Sequence, residues 1–444
     1  MIEVSEYQSI EYQSACAAYA LLDLGIHPGD RICISAPNSV ELFSVLVGAL
    51  RIGIAPAVVS SSATEREIRE MCRDIATEWV FRETDLQALI RDMNLEPRNL
   101  NELRNLPSCR PIHFTSGTSG RPKAVWSGWL THEESEAWIA DETAVWGFCA
   151  EDIHLVNGPL SHSAPLRFAL MTFFNSGALI IPPKFTAETA IEAISRFGVT
   201  TTFMAPTHLQ RIMESIETDR IPHSIRFIAH AGSTCKERIR LWTHEIFGVD
   251  KVFEFYGSTE GQFTVFPGSQ WQEHPGSVGQ VRPNREIRAD SLGLLWSRSP
   301  AYAQFIYWGD EAKTHSTWSA DNWFSVGDYG RIDAEGFVYL EGRKGDLIIS
   351  GGVNVYPAEI ERVLSNMPGI DCVVAFGLPD SIWGERVCVA VSGDVSESEV
   401  QKYLTFQLSA PKRPKSIFWV EEFPLTHSGK VDRLRIQNLL RESN

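Results

Sequence analysis

Short apolar runs rich in β-branched residues alternate with amphipathic stretches over the first 260 residues of this chain. The run RICISAP (31–37), for example, precedes NSVELFSVLVGALRIG (38–53), which has helical spacing and carries Asn38 and Glu41 at the separation of a capping box. Strands that alternate with helices predict parallel sheets covered by helices. Seven further segments are predicted to be strands: 55–60, 77–83, 153–159, 177–183, 199–206, 225–232 and 251–258.

Polar motifs lie where several predicted strands end. They are Ser116-Gly117, Pro159 to His162, Gly232-Ser233 and Tyr256-Gly257. In α/β folds of this kind, ligands bind at the carboxyl ends of the strands. We therefore expect these motifs to contribute to a ligand site.

The segment HFTSGTSGRPKAV (113–125) combines small hydroxyl residues and glycines with one lysine. Backbone N–H groups in such a loop can approach a phosphate closely, while the hydroxyls donate and the lysine adds charge. It is not the P-loop motif, because no Gly-Lys-Ser/Thr ends it. A surface linker has a similar composition. The position among the polar motifs favours the phosphate loop.

From about residue 276 the pattern changes to short strands and turns. The stretch LIISGGVNVYPAEIERVLSN (347–366) predicts a strand, a Gly-Gly turn and a helix. We expect a small α+β domain at the C-terminal end, and hence two domains, 1–343 and 344–444. Its other predicted features are strands in 371–379 and 385–393 and a helix capped by Ser396 and Glu399.

Composition excludes several classes of protein. The 444 residues are 43% apolar and 22% charged, as in ordinary globular proteins, and the net charge is −16. That charge disfavours sequence-independent binding to nucleic acid or to an anionic membrane. The eight cysteines form no C-x-x-C motif, which indicates reduced thiols in a cytoplasmic protein. The first residues do not resemble a signal peptide, and no apolar run predicts membrane insertion.

Taken together, five motifs resemble those of the acyl-adenylate-forming superfamily, which includes acyl-CoA synthetases, adenylation domains and luciferases. Each motif alone also fits an ordinary turn or loop. In detail the chain looks most like aryl- and acyl-CoA ligases such as chlorobenzoate–CoA ligases. The motifs are FTSGTSGRPKAV (114–125), EFYGSTEG (254–261), GDYGRID (327–333), GRKGDLIISGGVNVYPAEIE (342–361) and PLTHSGKVDR (424–433).

The resemblance implies an α/β fold. A large N-terminal domain would contain helix-covered parallel sheets and a β-subdomain, and a small, mobile α+β domain would carry the catalytic lysine. It also implies an ATP- and Mg²⁺-dependent ligase that converts a carboxylic acid to acyl-AMP and transfers the acyl group to a thiol, with CoA as the expected cosubstrate. Delivery to a carrier-protein phosphopantetheine or to an amine is the alternative. A third reading is an adenylate-binding protein that has lost turnover, although the intact motifs count against it.

The resemblance assigns roles to individual residues. Thr259, Glu260, Lys430 and His162 would be catalytic, with Glu260 as the Mg²⁺ ligand, Lys430 between the reacting carboxylate and the α-phosphate, and His162 as a gate to the thiol tunnel. The residues implied to bind ATP or AMP are Thr115, Ser116, Gly117, Thr118, Ser119, Gly120, Lys123, Gly232, Ser233, Tyr256, Gly257, Asp328 and Arg343.

The remaining assignments concern the acid, the thiol and the hinge. Gly345 matches the hinge position, although Lys344 or Asp346 takes that role in an alternative alignment. The acyl pocket that the resemblance implies has no acidic residue to hold an α-amino group, which favours an aryl or aliphatic acid over an amino acid as the substrate. The implied acyl pocket comprises Ala164, Phe168, Phe203, Met204, His208 and Phe263, and the implied CoA and pantetheine residues are Gly351, Gly352, Trp383 and Arg413.

Overall fold

The structure, a computed structural model, describes residues 3–91, 103–115, 122–215, 224–425 and 431–442. Across these residues it contains 13 α-helices and 24 strands. The chain divides into two compact units. The first comprises Met1–Gly232, Leu241–Ile287 and Ser297–Phe324, and the second comprises Ser233–Arg240, Arg288–Trp296 and Ser325–Asn444.

The N-terminal part of the first unit is a three-stranded parallel sheet with the order β2-β1-β3. Helices α1 and α2 pack closely, since a Cβ on Gly48 would lie 2.4 Å from the carbonyl oxygen of Ser14. Glycine is therefore required at this helix contact. The elements are α1 (Tyr7–Asp23), β1 (Arg31–Ser35), α2 (Val40–Arg51), β2 (Ala55–Val59), α3 (Glu65–Asp74), β3 (Val80–Arg82) and α4 (Glu83–Arg91).

A seven-stranded sheet forms the centre of the first unit, with the order β14-β13-β10-β9-β8-β6-β7. Strands β10, β9, β8, β6 and β7 are parallel to one another, whereas β13 pairs with β10 in the antiparallel direction, and all residues of β8 and β9 are buried. Burial on both faces explains why these strands are largely apolar and do not alternate with polar residues. The elements are β6 (Ile153–Val156), α6 (Ser163–Phe174), β7 (Ala178–Ile180), α7 (Ala187–Phe197), β8 (Thr201–Met204), α8 (Pro206–Ser215), β9 (Phe227–His230), α9 (Glu237–Phe247), β10 (Val252–Glu254), β13 (Thr264–Pro267) and β14 (Gln280–Val281).

Short antiparallel strands form several smaller sheets. Strand β5 lies between β4 and β17, and β11 and β12 form a hairpin. These pairs are too short for their sequence to show a clear alternation. The remaining elements up to residue 324 are β4 (His113–Thr115), β5 (Lys123–Trp126), α5 (His132–Trp146), β11 (Gly257–Ser258), β12 (Gly261–Gln262), β15 (Glu286–Ala289), β16 (Leu295–Arg298), β17 (Ile306–Tyr307) and α10 (Glu311–Thr317).

The N-cap of α2 differs from the prediction. Ser39, not Asn38, caps the helix, and its hydroxyl accepts a hydrogen bond from the backbone N–H of Leu42 at 3.1 Å. The amide of Asn38 instead donates to the carbonyl of Gly158 and accepts from the N–H of Leu160, both at 2.9 Å. Asn38 therefore joins the start of α2 to the loop after β6, and the adjacent serine takes over the cap.

The second unit contains the predicted α+β arrangement. Strands β22 and β23 confirm the two predicted strands and pair along almost their whole length, and Ser396 and Glu399 form the predicted capping box. The sequence did not predict β21, which pairs with β20 across the Gly-Gly turn. The elements are β18 (Asp328–Ile332), β19 (Val338–Arg343), β20 (Ile348–Ser350), β21 (Val353–Val355), α11 (Pro357–Ser365), β22 (Ile370–Asp380), β23 (Gly384–Gly393), α12 (Glu397–Gln407), β24 (Ser416–Trp419) and α13 (Arg433–Glu442).

The α/β class is confirmed, and the cysteines fit the sequence analysis. All eight are free thiols, and six of them are buried. The last point at which the chain passes from the first compact unit to the second lies between Phe324 and Ser325. The functional boundary between residues 343 and 344 stays a prediction.

The cap of α2 gives a test of this local structure. Ser39→Ala should lower the free energy of unfolding by about 1 kcal/mol, because the N–H of Leu42 loses its acceptor. Ser39→Asp should keep most of the stability, since aspartate is an equally good cap. Denaturant unfolding followed by tryptophan fluorescence measures both variants. Equal unfolding midpoints for Ser39→Ala and the unchanged protein would contradict the assignment.

Candidate active site

Thr259 and Glu260 form the turn of the β11–β12 hairpin, which follows the end of β10. Gly257 pairs with Gln262 across this hairpin, and a Cβ on Gly257 would lie 2.7 Å from the carbonyl oxygen of Gly261. The two strands can approach this closely only because the first carries no side chain here. The motif YGSTEG thus presents a hydroxyl and a carboxylate together at the tip of a tight turn.

Tyr307 orients the carboxylate of Glu260. Its hydroxyl donates to Glu260 Oε1 at 2.7 Å. Burial, and then the adjacent carboxylate, raise the pKa of Tyr307 above its ordinary value, so the phenol stays a hydrogen-bond donor at neutral pH. Among the residues that the structure describes, Glu260 Oε2 has no hydrogen-bond partner, which leaves one oxygen available to a ligand. The sequence analysis did not identify Tyr307.

Lys123 lies on β5 and forms an ion pair with Asp310. Asp310 is the N-cap of α10, where its carboxylate accepts from the N–H of Lys313 at 2.9 Å. The hydrogen bond from Lys123 is the main cause of the lowered pKa of Asp310. Thr115 pairs with Lys123 across β4 and β5. These contacts fix both ends of the glycine- and serine-rich loop, whereas Ser116, Gly117, Thr118, Ser119 and Gly120 lie outside the described residues.

Tyr256 follows β10 and is nearly buried, with 9% of its surface exposed. Its ring packs on Phe263 with a centroid distance of 5.1 Å, and its N–H donates to the hydroxyl of Thr264 at 3.0 Å. Gly232 lies after β9 with φ = 99°, a conformation that favours glycine. Tyr256, Gly232 and the segment 159–162 all follow strands of the same parallel sheet, as the sequence analysis expected. Ser233, the next residue, is exposed and begins a segment of the second unit.

His162 is the N-cap residue of α6, and Ala164 and Phe168 lie on the same helix. Phe168 is 1% exposed and stacks on Phe203 with a centroid distance of 5.6 Å, within a cluster that also includes Trp146. These rings form part of the core of the first unit. Their assignment to an acyl pocket stays a prediction.

The other predicted acyl-pocket residues are also largely enclosed. Met204 and Phe263 are 0% and 1% exposed. The imidazole of His208 stacks on Phe185 at a centroid distance of 4.1 Å, and its Nδ1 accepts from the N–H of Ala205 at 3.3 Å. Burial lowers the pKa of His208 to about 4, so it is neutral at physiological pH. The neutral imidazole of His208 therefore adds no charge to the predicted acyl pocket.

Asp328 and Arg343 are direct cross-strand partners on β18 and β19 in the second unit. Arg343 Nε donates to Asp328 Oδ1 at 2.7 Å. The carboxylate side chain is 4% exposed and the arginine side chain is 55% exposed. The two predicted ribose-side residues are therefore brought together by one hairpin.

The Gly351-Gly352 pair forms the turn between β20 and β21, with φ values of 57° and 78°. The N–H of Gly351 donates to the carbonyl of Trp383 at 2.8 Å, and a Cβ on Gly351 would lie 2.8 Å from the indole ring. Lys415 Nζ lies 5.1 Å from the centroid of that ring. Trp383 remains 42% exposed, so one part of the indole is available to a ligand. The structure thus places two of the predicted CoA residues in direct contact.

Arg413 makes other contacts. Its guanidinium donates to the carbonyls of Leu408 at 2.8 Å and Thr405 at 3.0 Å, at the end of α12. Lys430 lies outside the described residues, between Leu425 and Val431, which form an antiparallel bridge. The roles of Arg413 and Lys430 stay predictions.

The predicted hinge residue Gly345 lies in an exposed turn between β19 and β20. Asp346, in the same turn, accepts a hydrogen bond from Arg433, whose other Nη donates to Glu361 at 2.7 Å. Asp346 is thus tied to α11 and α13 of its own unit, whereas Gly345 has no side chain to restrain. The hinge role of Gly345 stays a prediction.

The described residues contain neither a metal-binding cluster nor a membrane-spanning helix. In the described ranges, no three histidine, cysteine or acidic residues form a cluster that could hold a metal. A Mg²⁺ ion held by one carboxylate, water and nucleotide phosphates needs no such cluster, and Glu260 with one available oxygen fits that mode. Within the same ranges, no helix has the length and apolar character to cross a membrane.

Comparison with known proteins agrees with this geometry. The family described as AMP-binding enzyme matches residues 5–291, and its C-terminal domain matches residues 359–430. The chain is 28% identical to 2-succinylbenzoate–CoA ligase of Lactococcus lactis, over 92% of this chain and 90% of that protein. It is 27% identical to a fatty acid–[acyl-carrier-protein] ligase of Streptomyces coeruleorubidus, over 97% of this chain and 91% of that protein.

A solved structure shares the fold. o-Succinylbenzoate CoA synthetase from Bacillus subtilis, in complex with its acyl-adenylate intermediate, superposes with a TM-score of 0.85 at 23% identity, over 97% of this chain and 92% of that chain. The superfamily and fold expected from the sequence are confirmed, and the finer likeness to chlorobenzoate–CoA ligases stays a prediction. The chain belongs to the AMP-binding enzymes, the family of acyl-adenylate-forming ligases.

Proposed function

We propose that the enzyme activates an aryl or aliphatic carboxylic acid with ATP and transfers the acyl group to the thiol of CoA. The observation that carries this proposal is the Thr259-Glu260 turn, in which a hydrogen bond from Tyr307 holds the Glu260 carboxylate. The hydroxyl of the adjacent Thr259 would bind the α-phosphate. In the first step, a carboxylate oxygen attacks the α-phosphorus of ATP, and the bond to the β-phosphate oxygen breaks to release pyrophosphate. In the second step, the thiol attacks the acyl carbon and AMP leaves.

The first step brings two anions together, so it depends on cations and N–H donors placed around the phosphates. Lys123 and Thr115 would orient the phosphate loop, and Thr259 would donate to the α-phosphate. Glu260 would hold Mg²⁺, which neutralises charge on the phosphate oxygens when bound. Lys430 would bridge the carboxylate and the α-phosphate as they react.

The nucleotide would be held by groups whose local geometry supports this role. Tyr256 would stack on adenine, with its ring fixed in place by Phe263. Asp328 would accept hydrogen bonds from the ribose hydroxyls, and its pairing with Arg343 orients the carboxylate. The acid would bind near α6, where Phe168, Phe203 and Met204 are apolar and buried, which favours an aryl or aliphatic body.

The second step is proposed to use the small C-terminal domain in another orientation. Gly351 and Gly352 would border the pantetheine tunnel, with Trp383 beside it, and His162 would act as its gate. A single active site carries out both steps, so we propose that the domain rotates about Gly345 between them.

Transfer to a carrier protein is the second candidate. It is favoured by the 27% identity to a ligase that acts on an acyl-carrier protein. Both acceptors present the same phosphopantetheine thiol, so the residues of the first step do not distinguish them.

The function is tested by ATP–pyrophosphate exchange over a panel of aryl and aliphatic acids, followed by product analysis with CoA or with a phosphopantetheinylated carrier. We expect acid-dependent exchange and formation of an acyl-CoA thioester. Exchange without thioester formation on CoA, but with transfer to the carrier, would support the second candidate. Absence of exchange with every acid, by a protein that still binds ATP, would contradict the proposed activation step.

The Tyr307–Glu260 contact gives a graded prediction. Glu260→Gln should slow adenylate formation roughly a hundredfold or more, because the metal loses its carboxylate. Tyr307→Phe keeps the carboxylate but removes its orienting hydrogen bond, and should slow the same step by roughly tenfold. Exchange rates measured over a range of Mg²⁺ concentrations separate the two effects. A Tyr307→Phe rate equal to that of the unchanged enzyme would exclude an orienting role.

The glycine pair provides a matched test of the thiol step. Gly351→Ala places a methyl group 2.8 Å from the Trp383 ring, whereas a Cβ on Gly352 meets nothing within 4 Å. Both positions have positive φ, so both substitutions carry a similar backbone penalty. Gly351→Ala should therefore slow thioester formation from preformed acyl-AMP more than Gly352→Ala does, while neither changes exchange greatly. Equal effects of the two substitutions would indicate that backbone strain alone is responsible.

A further inference from the structure

Four arginines, which no motif identified, line one internal cavity of the first unit: Arg110, Arg167, Arg282 and Arg285. Thr259 and Glu260 line the same cavity, so it adjoins the proposed reaction centre. Guanidinium groups in a protein interior are normally matched by carboxylates, because an unpaired buried charge is costly. The partners of each arginine therefore indicate whether the cavity requires an anion.

Two of the arginines are neutralised. Arg282 is 0% exposed in its side chain and pairs with Asp141 at 3.1 Å and with Glu142 at 3.2 Å. Arg285 pairs with the same Asp141 oxygen at 3.1 Å. Two guanidinium groups thus pair with two carboxylates, so the charges in this part of the cavity wall cancel.

The other two arginines have only neutral partners. The guanidinium of Arg110 lies over the Trp138 ring, 3.7 Å from its centroid, and donates to the carbonyl of Tyr302 at 3.2 Å. Arg167, on α6, makes a long contact of 3.4 Å with the side-chain oxygen of Gln262. Within the part of the chain that the structure describes, neither forms an ion pair with a carboxylate. Both keep some accessible surface, and both line the cavity.

The remaining groups of the cavity form no ion pair with Arg110 or Arg167 in the part of the chain that the structure describes. Burial, and then the nearby Arg167 and Arg110, lower the pKa of His113 to about 3, so it is neutral at physiological pH. The carboxylates of Glu142 and Glu260 also line the cavity, but Glu142 pairs with Arg282 and Glu260 accepts from Tyr307. The buried side-chain nitrogen of Gln262 has no partner among the described residues and offers a further donor. Two guanidinium groups and an amide nitrogen therefore face a space in which neither arginine has a carboxylate partner.

We propose that Arg110 and Arg167 form an oxyanion subsite that accepts a carboxylate or phosphate group beside Thr259 and Glu260. Planar guanidinium groups suit both oxyanions, because each can donate two parallel hydrogen bonds. A carboxylate here would be a second carboxyl group on the acid substrate, which would make the substrate a dicarboxylic acid. A phosphate here would belong to ATP or pyrophosphate. The choice between substrate and nucleotide as the source of the oxyanion rests on the proposed function. The absence of a carboxylate partner for Arg110 and Arg167 in the described chain does not depend on it.

Binding of small probes tests the subsite without any turnover. Succinate and pyrophosphate represent the two oxyanions, and succinamide, the uncharged diamide of the same length, is the control ligand. Apparent dissociation constants come from thermal unfolding at increasing probe concentration. The variants are Arg167→Met, Arg110→Met and the control Arg298→Met, whose arginine pairs with Glu286 and does not line the cavity.

We expect Arg167→Met and Arg110→Met to weaken binding of succinate or pyrophosphate by roughly tenfold or more, the effect of losing a charged hydrogen bond. Succinamide binding should be unaffected by these substitutions, and the Arg298→Met variant should bind all three probes like the unchanged protein. Without anions, Arg167→Met should unfold at the same or a higher temperature than the unchanged protein, because an unmatched charge has been removed. A loss confined to succinate assigns the second carboxyl group, and a loss confined to pyrophosphate assigns the phosphate.

Two results would overturn the proposal. The first is unchanged binding of both oxyanions by Arg167→Met and Arg110→Met. The second is equal weakening of all three probes together with a lower unfolding temperature in anion-free buffer, which would show that the arginines are structural. Neither result depends on acid activation, so failure of the proposed function in the exchange assay remains distinguishable from failure of the subsite.

Discussion

The hydrogen bond from Tyr307 to Glu260 joins two parts of the chain that the reaction chemistry requires to act together. Glu260 lies in a turn after β10, at the carboxyl edge of the parallel sheet, whereas Tyr307 comes from β17, which pairs with β5. Because Lys123 also lies on β5, the same small antiparallel sheet positions a cation at one end of the glycine- and serine-rich loop and a donor for the carboxylate. The geometry of the proposed phosphate site therefore depends on a strand of only two residues.

Much of this architecture follows from local sequence. Runs such as 31–37 and 225–232 are largely apolar, because most of β1 and all of β9 are buried, and these short apolar runs predict the strands directly. Gly257 and Gly351 were singled out as parts of motifs, and both glycines are needed because a neighbouring atom would lie within 3 Å of a Cβ. Local patterns thus give the sheets and the turns that carry polar groups.

Long-range partners could not be predicted in this way. Asn38 has the sequence signature of a cap, yet its amide bonds to Gly158 and Leu160, about 120 residues away, and Ser39 caps the helix instead. Tyr307 and Asp310 act on residues 47 and 187 positions earlier, and no motif includes them. The contacts that orient Glu260 and Lys123 are formed between distant segments, so a linear pattern does not contain them.

Charge in the interior connects the cavity with the chemistry. An enzyme that joins a carboxylate to a triphosphate needs positive charge close to the reacting atoms, but each buried cation destabilises the empty protein unless it is matched. Asp141 and Glu142 pair with Arg282 and Arg285 through three ion pairs, which makes this cluster a structural element. Arg110 and Arg167 have no carboxylate partner in the described chain. Their guanidinium groups can therefore pair with an incoming anion. In this way an electrostatic penalty in the free enzyme becomes binding energy at the site.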